Sequence, residues 1–121
     1  VPAVNQIEYS PFLQQPHLHE KCSGLGMRLE AYSPLTRAQR LDDPTIGAIA
    51  REHGKTAAQI MIRWVLQKGV VVIPKSVHRE RIAENADVFD FELTKENMAA
   101  IARLDEHYST MPEPFRPWNW E

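Results

Sequence analysis

The feature that most restricts the fold of this chain is a run of four β-branched residues at positions 70–73, Val-Val-Val-Ile. Gly69 and Pro74 bound the run on its two sides, as turn and breaker residues bound a strand. Apolar residues without alternation are typical of a parallel strand that is covered on both faces. The run therefore predicts a buried strand in a parallel sheet.

Two other segments are β-prone, and the stretches between the strands have helical signals. Residues 1–7 are expected to form a buried strand that ends near Gln6, and residues 28–32 a second strand. Helices are predicted for residues 16–23, from Asp43 to Gly54, from Thr56 towards Gly69, for 79–87 and for 94–104. Strands that alternate with helices in this order predict an α/β fold with a parallel sheet and right-handed crossovers.

Composition narrows the classes of protein that remain. At 121 residues, 43% of them hydrophobic, the chain is long enough to form one globular core. A net charge of -2 argues against a nucleic-acid partner, because such binders concentrate Lys and Arg on one face. The apolar runs are far shorter than the roughly 18–20 residues of a membrane span. One cysteine, Cys22, fits a reducing compartment, so we expect a cytoplasmic protein.

Three strands are few for such a fold. A lone unit of three parallel strands leaves two open edges. The sequence also enters a predicted strand within its first residues. We therefore expect the chain to begin within a domain, with the rest of the sheet supplied from outside this sequence or by a partner.

The segment with the most chemical character follows the third strand. Lys75 and Ser76 stand where the chain leaves the strand, and Arg81 follows near the start of the next helix. A helix start adds unpaired N–H groups and a positive dipole, and a lysine with an arginine suits an exposed dianionic phosphate. This pattern predicts a phosphate site. A solvated basic turn is the alternative.

Two residues near the ends of the other strands could contact a flat ligand. Tyr32 could stack on a ring, and the amide of Gln6 could donate to and accept from a carboxamide. Core packing is the alternative for Tyr32. A zinc site at His17, His19 and Cys22 is not expected, because positions i and i+2 of a helix project to different faces and a fourth ligand is lacking.

Taken together, the motifs at the strand ends resemble those of the aldo-keto reductases. The matching segments are residues 2–8, 31–35 and 73–76, with Arg81, Glu84 and Asn85 downstream and residues 88–93 as a continuation. The resemblance implies that residues 1–121 form the C-terminal part of a (β/α)8 barrel, from about the sixth strand to the eighth helix, with residues 109–121 as an aromatic loop. The family typically places a small or hydroxyl residue where His78 stands, so His78 departs from the family's pattern.

The resemblance also implies an NADP(H) site and a role for each matching residue. Gln6 would bind the nicotinamide carboxamide, and Tyr32 would stack on its ring. The other cofactor residues would be Ser33 and Leu35 at the pyrophosphate, Lys75, Ser76 and Arg81 at the 2′-phosphate with Val77 beside them, and Glu84 and Asn85 at the adenine. The preference for NADPH would come from pairing the extra phosphate with the two cations.

The implied activity is reduction of aldehydes or ketones to alcohols, with a small carbonyl compound as substrate. The family's catalytic tyrosine, lysine, aspartate and histidine belong to earlier strands, so no catalytic residue is assigned, and Tyr9 and Tyr32 match other positions. The tail residues Phe115, Trp118 and Trp120 are expected to wall the substrate pocket or simply to cap the barrel. The alternatives are a nucleotide-binding fragment without catalysis and a regulatory relative of the reductases.

Overall fold

The computed structural model describes residues 1–116. The strands are β1 (Val4–Glu8), β2 (Arg28–Tyr32) and β3 (Val71–Val72), and the helices are α1 (Pro16–Gly24), α2 (Pro44–His53), α3 (Ala57–Gln67), α4 (Arg79–Ala86) and α5 (Lys95–Ala102). A short 3-10 turn, Thr36–Ala38, lies between β2 and α2. Within this part of the chain there is no helix with the length and apolar character needed to span a membrane.

The three strands form a parallel sheet in the order β1-β2-β3. Glu8 at the end of β1 pairs with Tyr32 at the end of β2, and Ala31 pairs with Val72 of β3. Each connection carries at least one helix, as parallel neighbours require. The predicted α/β class with a parallel sheet is therefore confirmed.

Within residues 1–116 the outer strands are partly exposed, so the expectation that they are buried was wrong. Val4 in β1 is 50% exposed, and Val71 in β3 is 42% exposed. In the central strand, Leu29 and Ala31 are buried, whereas the residues between and beside them are not. Residues 1–116 therefore cover only one face of the sheet. Helices of this segment pack on one face of the sheet, and β1 and β3 lie at its edges. Within residues 1–116 the opposite face of the sheet therefore stays open.

Helix boundaries follow the capping signals in the sequence. The Asp43 side chain accepts from the backbone N–H groups of Thr45 and Ile46, and Pro44 is the first residue of α2. Gly54 ends that helix at a φ of 63°, where a side chain would be strained. Thr56 and Gln59 form the predicted capping box of α3. These local signals were read correctly because each satisfies backbone groups that a helix end leaves unpaired.

The core is built around α3. Its predicted apolar stripe is largely buried, and Trp64 on the same helix is 1% exposed. This helix is apolar on most of its circumference because the sheet, α2 and the α4 side all contact it. In contrast, α4 contains no buried residue, so its position depends on polar contacts rather than on a packed face.

Candidate cofactor site

A cleft of about 850 Å³ lies where the chain leaves β2 and β3. Its size falls in the range of small-molecule and cofactor pockets. Ligands of parallel α/β proteins collect at this end of the strands. Eight of the ten residues predicted to bind the cofactor line the cleft: Ser33, Leu35, Lys75, Ser76, Val77, Arg81, Glu84 and Asn85. The cleft thus brings together residues that stand up to 52 positions apart in sequence, from Ser33 to Asn85.

The side of the cleft formed by the chain after β3 and by α4 carries two cations, and a third, Arg37, lines the cleft from the loop after β2. Lys75 and Arg81 are both exposed, and both line the cleft. The Ser76 Oγ atom accepts the backbone N–H of His78 at 3.1 Å, which fixes the turn into α4. His78 occupies the N-cap position without a capping hydrogen bond from its side chain. Two cations beside the start of a helix make this side suitable for a phosphate group.

The rest of the lining offers apolar surface and selected hydrogen-bonding groups. Leu35, Leu41 and Ala58 line the cleft. The Glu84 Oε1 atom accepts the hydroxyl of Thr56 at 2.7 Å, so one carboxylate oxygen is engaged and the other can still accept from a ligand. Asn85, partly exposed beside it, can both donate and accept. A flat ring with an amino group has suitable partners here.

The loop between β2 and α2 has an unusual backbone. Thr36, Arg37 and Ala38 all have positive φ values, 52°, 50° and 66°, although none is a glycine. Thr36 is buried, its hydroxyl donates to Leu35 O at 2.7 Å, and its Oγ1 accepts the N–H of Arg40 at 3.1 Å. Strained backbone of this kind persists where neighbouring contacts hold it. No residue type in the loop marks this conformation in the sequence.

Gln6 and Tyr32 lie outside the lining of the cleft. They belong to the open face of the sheet, where the Gln6 Nε2 atom donates to Glu30 Oε1 at 2.6 Å. Tyr32 ends β2 beside Glu8. The pKa of the Tyr32 hydroxyl is raised, mainly by burial and also by the negative charge of Glu8, while Arg37 acts in the opposite direction. Gln6 and Tyr32 therefore lie near the same end of the sheet as the cleft, but on a different surface.

Helix α4, which carries Arg81, Glu84 and Asn85, is fastened by the side chain of Gln59 on α3. The Gln59 Nε2 atom donates to Glu84 O at 3.1 Å and to Asp87 O at 3.0 Å. The sequence identified Gln59 solely as a capping residue. Its contacts beyond its own helix connect residues 25 and 28 positions apart, which no local pattern reveals.

Within residues 1–116 the aromatic tail does not contribute to the lining of the cleft. Phe115 is 55% exposed and does not line the cleft, while Trp118 and Trp120 lie outside the described residues. Cys22 is buried, with its Sγ 3.6 Å from Asn5 Nδ2. Within residues 1–116 no three His, Cys, Asp or Glu side chains are grouped as metal ligands would be.

Comparison with known proteins identifies the family. The model of the aldo/keto reductase family matches residues 1–106. The chain is 49% identical over 113 residues to glyoxal reductase of Bacillus subtilis, covering 93% of this chain and 41% of that protein. It is 52% identical over 114 residues to an aldo-keto reductase of Mycolicibacterium smegmatis, covering 94% and 42% of the two proteins. The chain therefore belongs to the aldo/keto reductase family, and it spans about two fifths of the length of these relatives.

Solved structures of the family have the same fold over this segment. A mutant of Gox0644 in complex with NADPH superposes with a TM-score of 0.85 at 48% identity, over 88% of this chain and 39% of that one. A Bombyx mori aldo-keto reductase in complex with NADP gives a TM-score of 0.84 at 38% identity, over 93% of this chain and 40% of that one. The arrangement of β1 to α5 is thus that of the corresponding segment in these enzymes.

Proposed function

We propose that this chain is the cofactor-binding, C-terminal segment of an NADP(H)-dependent reductase that converts aldehydes or ketones to alcohols. The observation that carries the proposal is the convergence of Lys75, Ser76 and Arg81 on one cleft at the carboxyl ends of the strands. The NADPH and NADP complexes of two similar structures support it. The segment would supply about strands six to eight of a (β/α)8 barrel.

The residues that line the cleft match the successive parts of NADP(H), from the 2′-phosphate to the pyrophosphate. Lys75 and Arg81 would pair with the 2′-phosphate, where a point charge and a planar fork both suit phosphate oxygens. Beside them, Glu84 and Asn85 would accept from and donate to the adenine. Ser33 and Leu35, across the cleft, would contact the pyrophosphate. The cofactor would therefore run from α4 towards the end of β2.

The nicotinamide would lie on the open face of the sheet. Tyr32 at the end of β2 would stack on the ring, and Gln6 on β1 would bind the carboxamide. The Gln6 amide already donates to Glu30, so its oxygen remains available to accept the carboxamide N–H. When bound, NADPH supplies hydride for the reduction. The role of this chain is to hold and orient that ring.

The proton for the developing alkoxide would come from a tyrosine outside this segment. Tyr9 does not suit the role, because its side chain is fully buried and its pKa is raised by desolvation and by the charge of Asp105. Tyr32 is committed to the ring contact. The remaining strands would pair with the open edges of β1 and β3 and complete the pocket. A reducing compartment such as the cytoplasm would suit the single Cys22.

The test combines the intact mass of the purified protein with oxidation of NADPH in the presence of glyoxal. Turnover by a protein much heavier than the 13.9 kDa of this chain is the expected result for a complete reductase. Binding of NADPH without turnover at that larger mass would favour the non-catalytic alternative. Absence of NADPH binding by the complete protein would contradict the proposal.

A further inference from the structure

The carboxylate of Glu8 is buried although Glu8 ends an edge strand of the sheet. Glu8 is 2% exposed. Its Oε1 atom accepts the backbone N–H of Thr110 at 2.6 Å and the Thr110 hydroxyl at 2.5 Å, and its Oε2 atom accepts the hydroxyl of Ser109. A carboxylate is stable in such a place only where donors replace the water that it has lost. Glu8 therefore fixes Ser109 and Thr110 to the carboxyl end of β1.

Residues 106–111 are held by Glu8 at Ser109 and Thr110, and by the carbonyl of Phe12, which accepts the N–H groups of Glu106 and Tyr108. The same segment contacts the loop between β2 and α2. The Tyr108 hydroxyl donates to Gln39 Oε1, and Glu106 forms an ion pair with Arg40. The Arg40 guanidinium lies 5.0 Å from the centroid of the Tyr108 ring, a cation–π distance. Residues 106–111 therefore connect the end of β1 to the loop after β2.

That loop forms one wall of the cofactor cleft. Arg37, Ala38 and Leu41 line the cleft, and the Arg37 Nη2 atom lies 3.7 Å from the Sδ atom of Met111. Glu8 itself is not among the lining residues. One path from Glu8 to the cleft runs through residues 106–111.

We propose that Glu8 is a positioning residue for the cofactor cleft, because it anchors residues 106–111, which in turn hold the wall formed by residues 37–41. The inference rests on the proposed function for the identity of the ligand, NADP(H). It adds a residue that does not line the cleft. The strained backbone of residues 36–38 is a reason for the wall to need such support.

The experiment replaces the carboxylate with an amide, Glu8→Gln, in the complete protein. The amide keeps the volume of the side chain but exchanges one accepting oxygen for a donating nitrogen, which the Ser109 and Thr110 hydroxyls meet less well. Glu20→Gln on the exposed surface of α1 is the matched control. Hydrogen exchange of residues 37–41 and 106–111 and the Kd for NADPH are measured for each protein.

Glu8→Gln should raise exchange in both segments and raise the Kd for NADPH by about 3- to 30-fold, the range of indirect couplings of this kind. Glu20→Gln should change neither quantity. Faster exchange in residues 106–111 with an unchanged exchange in residues 37–41 would overturn the proposal, as would unchanged exchange in both.

A second variant covers the case in which Glu8→Gln fails to fold. Thr110→Val removes the hydroxyl that Glu8 accepts and nearly preserves shape, and it should change exchange in the same two segments. If wild-type protein does not bind NADPH, the proposed function fails, whereas the exchange of residues 37–41 still decides whether Glu8 positions the wall. The two failures are thus distinguishable.

Discussion

The ring of Tyr9 stacks on that of Trp64, with centroids 5.2 Å apart and planes 17° from parallel. Both side chains are at most 1% exposed. The Tyr9 hydroxyl lies in the core and has no hydrogen-bond partner within residues 1–116. The ring therefore contributes apolar packing, while the hydroxyl costs the free energy of an unpaired buried polar group.

Tyr9→Phe should therefore keep or raise the free energy of unfolding. An unpaired buried hydroxyl costs about 1–3 kcal/mol, and the phenyl ring retains the stacking on Trp64. Urea denaturation gives the comparison. Trp64→Ala is the contrasting variant and should lose about 3–5 kcal/mol, as large core truncations do. A loss of more than about 1 kcal/mol in Tyr9→Phe would show that the hydroxyl is paired after all.

The same hydroxyl predicts a loss of stability at alkaline pH. Desolvation, with a smaller contribution from Asp105, raises the Tyr9 pKa in the folded protein. Above about pH 10 the unfolded chain releases this proton while the folded chain keeps it, so the free energy of unfolding falls as pH rises. Tyr32 acts in the same direction. Urea midpoints across this range should fall more steeply for wild type than for Tyr9→Phe, and equal slopes would contradict the assignment.

Ala38→Gly should stabilise the protein. Ala38 is exposed and has a φ of 66°, a conformation that costs an L-residue about 1–2 kcal/mol and glycine almost nothing. The greater freedom of glycine in the unfolded chain offsets about 0.4–1 kcal/mol, which leaves a gain below about 1.5 kcal/mol. Ala99→Gly inside α5 is the control and should lose about 1 kcal/mol. Equal losses in the two variants would argue against the left-handed backbone at position 38.

Gln59→Ala should loosen α4 more than it loosens the rest of the chain. The Gln59 amide holds Glu84 O and Asp87 O, and α4 has no buried residue to replace that support. Hydrogen exchange of residues 79–86 should accelerate, and NADPH binding should weaken. Gln67→Ala is the matched control, since this glutamine on the same helix holds Leu93 instead. Similar exchange of α4 in both variants would contradict the role of Gln59.

The part of the fold that could be predicted from the sequence is the part governed by local signals. Asp43, Gly54 and Thr56 satisfy backbone groups within a few residues of themselves, so their patterns identify helix ends directly. The four β-branched residues at 70–73 identified a strand but not its exposure. Whether a strand face is covered depends on what packs against it, and within residues 1–116 the helices pack on the other face of β3.

The candidate site, too, could be predicted only where the signal is local. Lys75, Ser76 and Arg81 could be proposed from residue type because cations near a helix start are suited to phosphate. Glu8 and Gln59 could not be, since their partners lie 102 and up to 28 positions away. The positive φ values at residues 36–38 also left no trace, because threonine, arginine and alanine rarely adopt them.

The measurement that tests the central claim most directly is the Kd for NADPH and for NADH in Lys75→Ala and Arg81→Ala. Each variant should weaken NADPH about 10- to 100-fold, equivalent to about 1.4–2.8 kcal/mol, because a charge-assisted contact to the 2′-phosphate is lost. Binding of NADH should change less than about 3-fold. Arg79→Ala, an exposed arginine of α4 outside the cleft lining, is the control and should leave both constants unchanged. Equal weakening of NADPH and NADH in Lys75→Ala and Arg81→Ala would contradict the assignment of a 2′-phosphate site to this cleft.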